Sequence, residues 1–212
     1  MRLHRTAALT IVAMTLAGCI GASAQPSSAG TSPSEPIELP SASETVSLPP
    51  ASVDAVPSDE LGPFSCDLPV VEAATVALAN ITDVRVGTHA SYDRVVFEFA
   101  DGLPELTLDR ATPPFTHDAS GMPVEVTGDS FLRLTMRGVT KQTAEGTSSY
   151  DGPTDFDPAF PSLVDLVEGG DFEAQSTWYL GLAGEPCPRV MLLSDDGPPR
   201  LVIDVEHSEQ AR

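Results

Sequence analysis

The stretch "DRVVFEFA", residues 93–100, decides the fold class of this chain. Val95, Phe97 and Phe99 occupy alternate positions in it, and the residues between them include the charged Arg94. Because successive side chains of a β-strand point to opposite faces, this alternation predicts a strand with one buried apolar face.

Seven further segments are also short, rich in β-branched or aromatic residues, and bounded by Gly, Pro or Asp, which is typical of strands. They are "ITDVRVG" (81–87), "ELTLD" (105–109), "SFLRLTMRG" (130–138), "SLVDLVEG" (162–169), "STWYLGLA" (176–183), "RVMLLS" (189–194) and "RLVIDVE" (200–206). Helical periodicity is confined to "LPVVEAATVALA", 68–79, which predicts either a helical turn or two or a lead into the sheet. We expect an all-β domain with eight main strands.

The order of these segments repeats along the chain. "VRV, DRVVFEF, LTL, FLRLTM" is followed, after a loop, by "VDL, STWYLGL, VMLL, RLVIDV" with similar spacing. This predicts a duplicated four-strand unit, each with one apolar face, and two such faces packed together make a two-sheet β-sandwich. The alternative is the ordinary strand spacing of any all-β chain.

The N-terminus resembles a bacterial lipoprotein signal. Residues 1–18 contain two arginines and the apolar run "AALTIVAMTLAG", and "LAGC" at 16–19 resembles a lipobox. The resemblance implies that Cys19 is acylated and, after cleavage, anchors the protein to the outer face of the cytoplasmic membrane. An ordinary signal peptide cut after "ASA" at 22–24 is the alternative.

Residues 19–60 have the composition of a tether. They contain no Lys, Arg or aromatic residue and many Ser, Ala and Pro residues. Such a segment buries too little apolar surface to offset the entropy of ordering, so we expect it to be disordered. Residues 61–212 have the usual size of one domain.

The charge balance limits the binding partners. With 11 Lys and Arg against 31 Asp and Glu, the formal net charge is −20. Nucleic acid and anionic lipid headgroups are repelled by such a chain, so contact with a membrane is expected through the lipid anchor only.

Two cysteines remain once Cys19 is assigned to the anchor. Cys66 and Cys187 allow only one intramolecular pairing, and in an oxidising compartment we expect a disulfide. The alternatives are two buried thiols or a thiol pair for a metal, which no C-x-x-C motif or nearby His supports.

Two longer segments carry a family resemblance. "DVRVGTHASYDRVVFEF" (83–99) and "PPRLVIDVEH" (198–207) resemble the AMIN domain, and "GDFEAQSTWYLGL" (170–182) resembles the AMIN-like domain of actinobacterial envelope lipoproteins. The resemblance covers residues 80–207 and implies two related halves. AMIN domains are associated with targeting to peptidoglycan and the division site and with secretin assembly. This chain differs in a long loop between its halves and in having no amidase domain after them.

Catalytic motifs are lacking in the sequence. The titratable candidates are His89, His117, His207, Glu98 and Asp204, without a G-x-S-x-G, H-E-x-x-H or Cys-His motif. The two carboxylates are expected to face solvent or to pair with a neighbouring arginine. We expect no enzymatic activity and no cofactor.

The loop at 147–160, "TSSYDGPTDFDPAF", clusters Asp151, Asp155 and Asp157. Carboxylates in an exported loop are potential calcium ligands, but their spacing does not match an EF-hand loop. A solvated turn of Asp, Gly and Pro explains the cluster without a metal, which is the expectation we adopt.

Trp178 and Tyr179 are adjacent in a predicted strand and therefore point to opposite faces. Trp178 shares its face with two leucines and is expected in the core. Tyr179 is then the exposed candidate for stacking on a sugar ring, although a lone tyrosine is also simply a good strand former.

Two functions are compatible with these observations. The first is a non-catalytic binding module for peptidoglycan or another envelope glycan. The alternative is a protein-interaction or scaffold lipoprotein of the cell envelope, which docks a partner protein through its acidic surface or an exposed strand edge.

Overall fold

The computed structural model describes residues 61–207, and all regular secondary structure in this range is β-strand. The strands are β1 (Val70–Glu72), β2 (Ala79–Thr88), β3 (Tyr92–Phe99), β4 (Glu105–Ala111), β5 (Phe115–Thr116), β6 (Pro123–Val124), β7 (Ser130–Arg137), β8 (Val139–Thr140), β9 (Asp155–Phe156), β10 (Leu163–Phe172), β11 (Gln175–Leu182), β12 (Pro188–Leu193) and β13 (Arg200–Glu206). The predicted all-β class and all eight predicted main strands are confirmed. The predicted signal at 1–18, the acylation of Cys19 and the tether at 19–60 lie outside the described residues.

The segment at 68–79 leads into a sheet, and the helical interpretation of it is wrong. Val70–Glu72 pairs with β4 as β1, and Val70 packs against the core. The gain from this pairing and burial outweighs the weak helical pattern of the segment. Nowhere between residues 61 and 207 is there a helix with the length and apolar character needed to cross a membrane.

Two sheets form the sandwich. The first sheet has the order β1-β4-β7-β11-β10-β9, and the second has the order β12-β13-β3-β2-β8. Neighbouring strands are antiparallel except for the parallel pair β2 and β8. A separate two-stranded hairpin consists of β5 and β6.

The two halves of the sequence are exchanged between the sheets. The first half places the hairpin β2-β3 in the second sheet and β4-β7 in the first, while the second half places β10-β11 in the first and β12-β13 in the second. The central pairs correspond: Arg94 opposes Asp204 across β3 and β13, and Thr177 opposes Thr135 across β11 and β7. The strand order therefore repeats between the sheets, where β4, β7, β11 and β10 of the first correspond to β12, β13, β3 and β2 of the second. The expectation that each unit forms its own sheet is wrong, because strands of both halves pair at the centre of each sheet.

The apolar faces of the two sheets meet in one core. Trp178 is fully buried there, as predicted, and its ring contacts that of Phe97 edge-on with centroids 5.2 Å apart. The partly buried residues around the core include Val190 and Leu192 of β12. The core therefore extends from the central strands to the edge of the second sheet.

A covalent bond ties the start of the described chain to the second sheet. Cys66 and Cys187 form the predicted disulfide, with their Cα atoms 4.7 Å apart. Beside it, the Ser65 N–H donates to the Pro188 carbonyl at 2.9 Å. Residues 61–66 are thereby held against the end of β12.

Candidate binding groove

Two cavities that share lining residues open beside β8. Their volumes are about 370 Å³ and about 340 Å³, and Thr140, Gln142 and Ala174 line both. Volumes of this size are within the range of small-molecule sites. We call the combined depression the β8 groove; its residues come from the segments 78–80, 140–150 and 171–174.

The turn on one side of the groove has an unusual backbone. Phe172 pairs with Gln175, so the loop between β10 and β11 consists of Glu173 and Ala174, with φ angles of 52° and 58°. Such a turn normally takes Asn-Gly, because side chains with a Cβ are disfavoured at positive φ. A non-glycine residue held in this region costs on the order of 1–3 kcal/mol, and strain of this kind is concentrated at functional sites. The groove therefore contains two strained residues side by side.

Main-chain hydrogen bonds hold the turn in place. The Ala174 carbonyl accepts from the N–H groups of Gly138 at 2.8 Å and Val139 at 3.2 Å, and the Gly138 carbonyl accepts from Ala79 N–H at 2.8 Å. Gly138 has a φ of 67°, and a Cβ there would lie 2.8 Å from the Ala77 carbonyl oxygen. Only glycine fits this junction, which locks the three segments of the groove together.

The opposite rim is held by its own hydrogen bonds. Thr143 N–H donates to the Thr147 carbonyl at 2.8 Å, and Ser149 N–H donates to the Lys141 carbonyl at 2.8 Å. The Tyr150 hydroxyl donates to the Pro153 carbonyl. Burial raises the pKa of Tyr150 to about 12, so its hydroxyl stays protonated at neutral pH. The rim is thus held in place by main-chain hydrogen bonds.

The lysine of the groove is neutralised by carboxylates. Lys141 Nζ donates to both oxygens of Glu168 at 2.8 Å and lies 3.8 Å from Asp171 Oδ2. Burial raises the pKa of Asp171, and the charge of Lys141 opposes this shift without cancelling it. Lys141 is committed to these partners, so the groove does not have the character of an anion site.

Apolar side chains flank these polar groups. Phe172 is 51% exposed and Leu78 is 49% exposed, although both are large hydrophobic residues. Thr140, Gln142 and Ser148 supply hydroxyl and amide groups to the same groove. An exposed aromatic ring beside neutral hydrogen-bonding groups is complementary to a sugar, which has an apolar C–H face and a rim of hydroxyls.

The expectation that Tyr179 is exposed is wrong. Tyr179 is 6% exposed, and its ring stacks on that of Phe115 with centroids 4.5 Å apart. Val124 packs in the same cluster, so the β5-β6 hairpin covers the outer face of the first sheet at this point. Burial raises the pKa of the Tyr179 hydroxyl, and no face of the ring is open to a sugar.

The histidines singled out as catalytic candidates have structural partners. His89 stacks on Tyr92 with ring centroids 4.3 Å apart, and burial lowers its pKa. His117 Nδ1 lies 3.2 Å from the Gly169 carbonyl oxygen. His207 Nε2 lies 2.9 Å from Asp93 Oδ1.

Glu98 and Asp204 both pair with arginines, which was one of the two alternatives expected from the sequence. Asp204 is buried against Arg94 and Arg189, and Glu98 lies 3.2 Å from Arg85. These contacts connect neighbouring strands of the second sheet, and they explain both residues as structural.

The three loop aspartates lie at the surface of the domain. Asp151, Asp155 and Asp157 are all exposed, and within residues 61–207 no group of three or more His, Cys, Asp or Glu side chains is arranged to hold a metal ion. Asp155 and Asp157 lie close enough to Asp165 to raise its pKa further, although burial is the larger cause.

The β8 groove was missed by reasoning from the sequence. Its residues come from three separate segments, and none of them forms a motif. One local signal was available: Phe172 precedes a two-residue turn that lacks glycine, so the ring stands at the end of a hairpin.

The described residues form a β-sandwich domain with a groove beside β8. The family model of the AMIN-like domain matches residues 79–207, and the chain therefore belongs to the AMIN-like domain family. A search of the curated proteins found no match. Membership of this family suggests an extracytoplasmic protein with a binding role in the cell envelope.

Proposed function

We propose that this protein is a cell-envelope lipoprotein whose AMIN-like domain is a non-catalytic binding module for peptidoglycan or another envelope glycan. The observation that carries the proposal is the position of Phe172, which is half exposed beside a groove whose lining includes the hydroxyl and amide groups of Thr140, Gln142 and Ser148. The turn that follows it is held by hydrogen bonds from Gly138 and Val139, so the backbone beside the ring is ordered before a ligand binds, which lowers the entropic cost of binding.

The electrostatics of the groove support a glycan rather than a polyanion. The chain has a net charge of −20, and Lys141 is already paired with Glu168. A hydroxyl-rich ligand avoids the repulsion that a phosphate polymer would meet. The lipobox at 16–19 supports an anchor at Cys19, which would present the domain to the cell wall.

Binding to purified peptidoglycan sacculi at two salt concentrations tests this proposal. Phe172→Ala is expected to weaken retention by about tenfold, because burying a phenylalanine ring is worth about 1.5–3 kcal/mol. Met122→Ala is the matched control, since Met122 is 64% exposed and does not line the groove. The proposal is contradicted if the unmodified protein is not retained on the sacculi, or if Phe172→Ala and Met122→Ala weaken retention equally.

A second candidate function is protein interaction in the envelope. It is favoured by the edge of the second sheet, where the half-buried apolar residues Val190, Met191, Leu192 and Leu193 end the strand order. Exposed apolar edges of this kind are templates for pairing with another chain.

A further inference from the structure

The two sheets correspond strand for strand except at one edge. The short strand β9 flanks β10 at one edge of the first sheet, antiparallel to it, and β8 flanks β2 at the corresponding edge of the second, parallel to it. At the opposite edge, β1 flanks β4, the strand that corresponds to β12. The segment at 61–66 lies against the start of β12, where Ser65 N–H donates to the Pro188 carbonyl. Among residues 61–207 no strand flanks β12, so further along, from Val190 to Leu193, its edge has no neighbouring strand.

Main-chain groups of β12 point out of this edge. The Pro188 carbonyl accepts from Ser65 N–H outside the sheet, whereas the Cys187 carbonyl accepts from Glu206 N–H of the neighbouring chain segment within it. Because peptide groups alternate along a strand, the N–H groups of Val190 and Leu192 also point outward. A proline at position 188 fits this orientation, since it has no N–H to lose.

The equivalent edge of the first sheet carries a protecting side chain that the edge of β12 lacks within the described part of the chain. Thr107 of β4 lies opposite Thr135, and Arg189 of β12 lies opposite Asp204, the residue that corresponds to Thr135. Thr107 therefore corresponds to Arg189. Two and three residues further along, Asp109 and Arg110 of β4 correspond to Met191 and Leu192 of β12. On β4, the Asp109 carboxylate accepts the outward N–H of Arg110 at 2.7 Å. Met191 has no carboxylate to perform this role. Charged residues that block an edge are a common protection against strand pairing, and β12 lacks them from Val190 to Leu193.

We propose that the outer edge of β12, from Val190 to Leu193, binds an extended, basic segment of a partner protein as an added antiparallel strand. The first sheet shows the geometry of the occupied edge: β1 pairs antiparallel with β4, and Val70 packs on the core opposite Leu108. Since Leu108 corresponds to Val190, the occupant places an apolar side chain opposite Val190. Main-chain hydrogen bonds supply affinity, and alternate side chains supply specificity.

The negative charge of the chain near this edge favours a basic binding partner. Asp195 and Asp196 follow β12 directly and are exposed, and the chain as a whole has a net charge of −20. A basic segment is attracted to this edge, whereas a second copy of the chain brings the same negative charge and is repelled. The inference goes beyond the glycan groove, because it concerns another surface and another class of ligand.

Amide hydrogen exchange tests the proposal on the full chain carrying Cys19→Ser, a change outside the described residues. The probe is a synthetic peptide of alternating valine and threonine flanked by two lysines at each end. We expect it to slow exchange at Val190 and Leu192 by at least about tenfold. The amides of Arg189 and Met191, which face β13, are expected to change little. Absence of protection at Val190 and Leu192 at millimolar peptide, or protection confined to the β8 groove, overturns the proposal.

Two variants separate edge pairing from surface charge. Met191→Asp copies Asp109 and is expected to weaken peptide binding by at least about tenfold, although its added charge attracts the peptide. Ser194→Asp adds the same charge at an exposed position just beyond the end of β12 and is the control, expected to retain binding. Thermal unfolding of both variants verifies that they are folded. Equal weakening of peptide binding in both variants overturns the proposal. Light scattering of the unliganded chain gives a second check: a dimer that Met191→Asp abolishes would make a second copy of the chain the occupant and would also overturn the proposal.

Discussion

Arg94 on β3 lies directly opposite Asp204 on β13 and donates two hydrogen bonds to its carboxylate, at 2.6 Å and 2.9 Å. Both residues are on the outer face of the second sheet, yet Arg94 is only 2% exposed and Asp204 is fully buried. Arg189 donates to the same carboxylate at 3.1 Å, and its guanidinium lies 4.3 Å from the ring centroid of Phe64. The disulfide-bonded segment at 61–66 thus helps to convert a polar outer face into a second buried layer.

Asp204→Asn is expected to destabilise the domain by about 3–5 kcal/mol. Removing one partner from a buried ion pair leaves an uncompensated charge, here on two arginines. Urea unfolding monitored by circular dichroism measures the change. Glu98→Gln is the matched control on the same sheet, because the pair of Glu98 and Arg85 is partly exposed and is expected to contribute less than about 1 kcal/mol. Similar losses in the two variants would contradict a special role for Asp204.

The strands were predictable from the sequence, and their pairing was not. Alternation within "DRVVFEFA" is a local property of β3, whereas the pairing of β3 with β13 joins residues as far apart as Arg94 and Asp204. The alternation of apolar and polar residues within a hairpin is the same whichever sheet the hairpin joins, so it does not reveal the exchange of hairpins between the two sheets. For the same reason, alternation places Arg94 on an outer face correctly but does not reveal that the segment at 61–66 contributes to covering it.

The candidate site was also only partly predictable from the sequence. Tyr179 was expected on the surface because it alternates with core residues, but β5 and β6 have only two residues each and no detectable period, so their cover over Tyr179 was not predictable. Phe172 is exposed because β10 ends there. Its role depends on the contact of the following turn with Gly138, which lies in another part of the chain.

Removing the disulfide is expected to cost about 4 to 5 kcal/mol. The bridge joins Cys66 and Cys187, which are 121 residues apart, and a loop of this length carries a closure entropy of that order in the unfolded chain. A double variant with serine at both positions, compared with the unmodified chain in urea, gives the difference. Adding a reductant is expected to shift only the unmodified chain. A reductant-induced shift of the double variant would show that this difference does not come from the bridge.

Relaxing the strained turn is expected to stabilise the domain. In the double variant Glu173→Asn with Ala174→Gly, the turn acquires the residues that type I′ geometry favours, and each left-handed non-glycine residue costs about 1–2 kcal/mol. Thermal unfolding should show a higher midpoint. Gly146→Ala is a control of opposite sign, because Gly146 has a φ of 79° in a turn with open space around its Cβ position. A lower midpoint for the double variant would mean that the side chains of Glu173 and Ala174 stabilise the turn by more than the strain costs.

Asp171→Asn tests the electrostatics of the groove through the pH dependence of stability. Because burial raises the pKa of Asp171 above the ordinary value of 3.8, the folded state binds more protons than the unfolded state between these two pKa values. The contribution of Asp171 to stability is therefore fully present below pH 3.8 and is lost as the pH rises through its folded pKa. At pH 7 the charged carboxylate disfavours folding, so Asp171→Asn is expected to unfold at a higher urea concentration than the unmodified chain. The advantage should disappear near pH 3, where Asp171 is protonated in both states. Asp195→Asn, at an exposed position outside the groove, is the control for the loss of one carboxylate from the chain. If Asp171→Asn is instead less stable at pH 7, the attraction of Lys141 exceeds the cost of burial, and folding lowers the pKa of Asp171 instead of raising it.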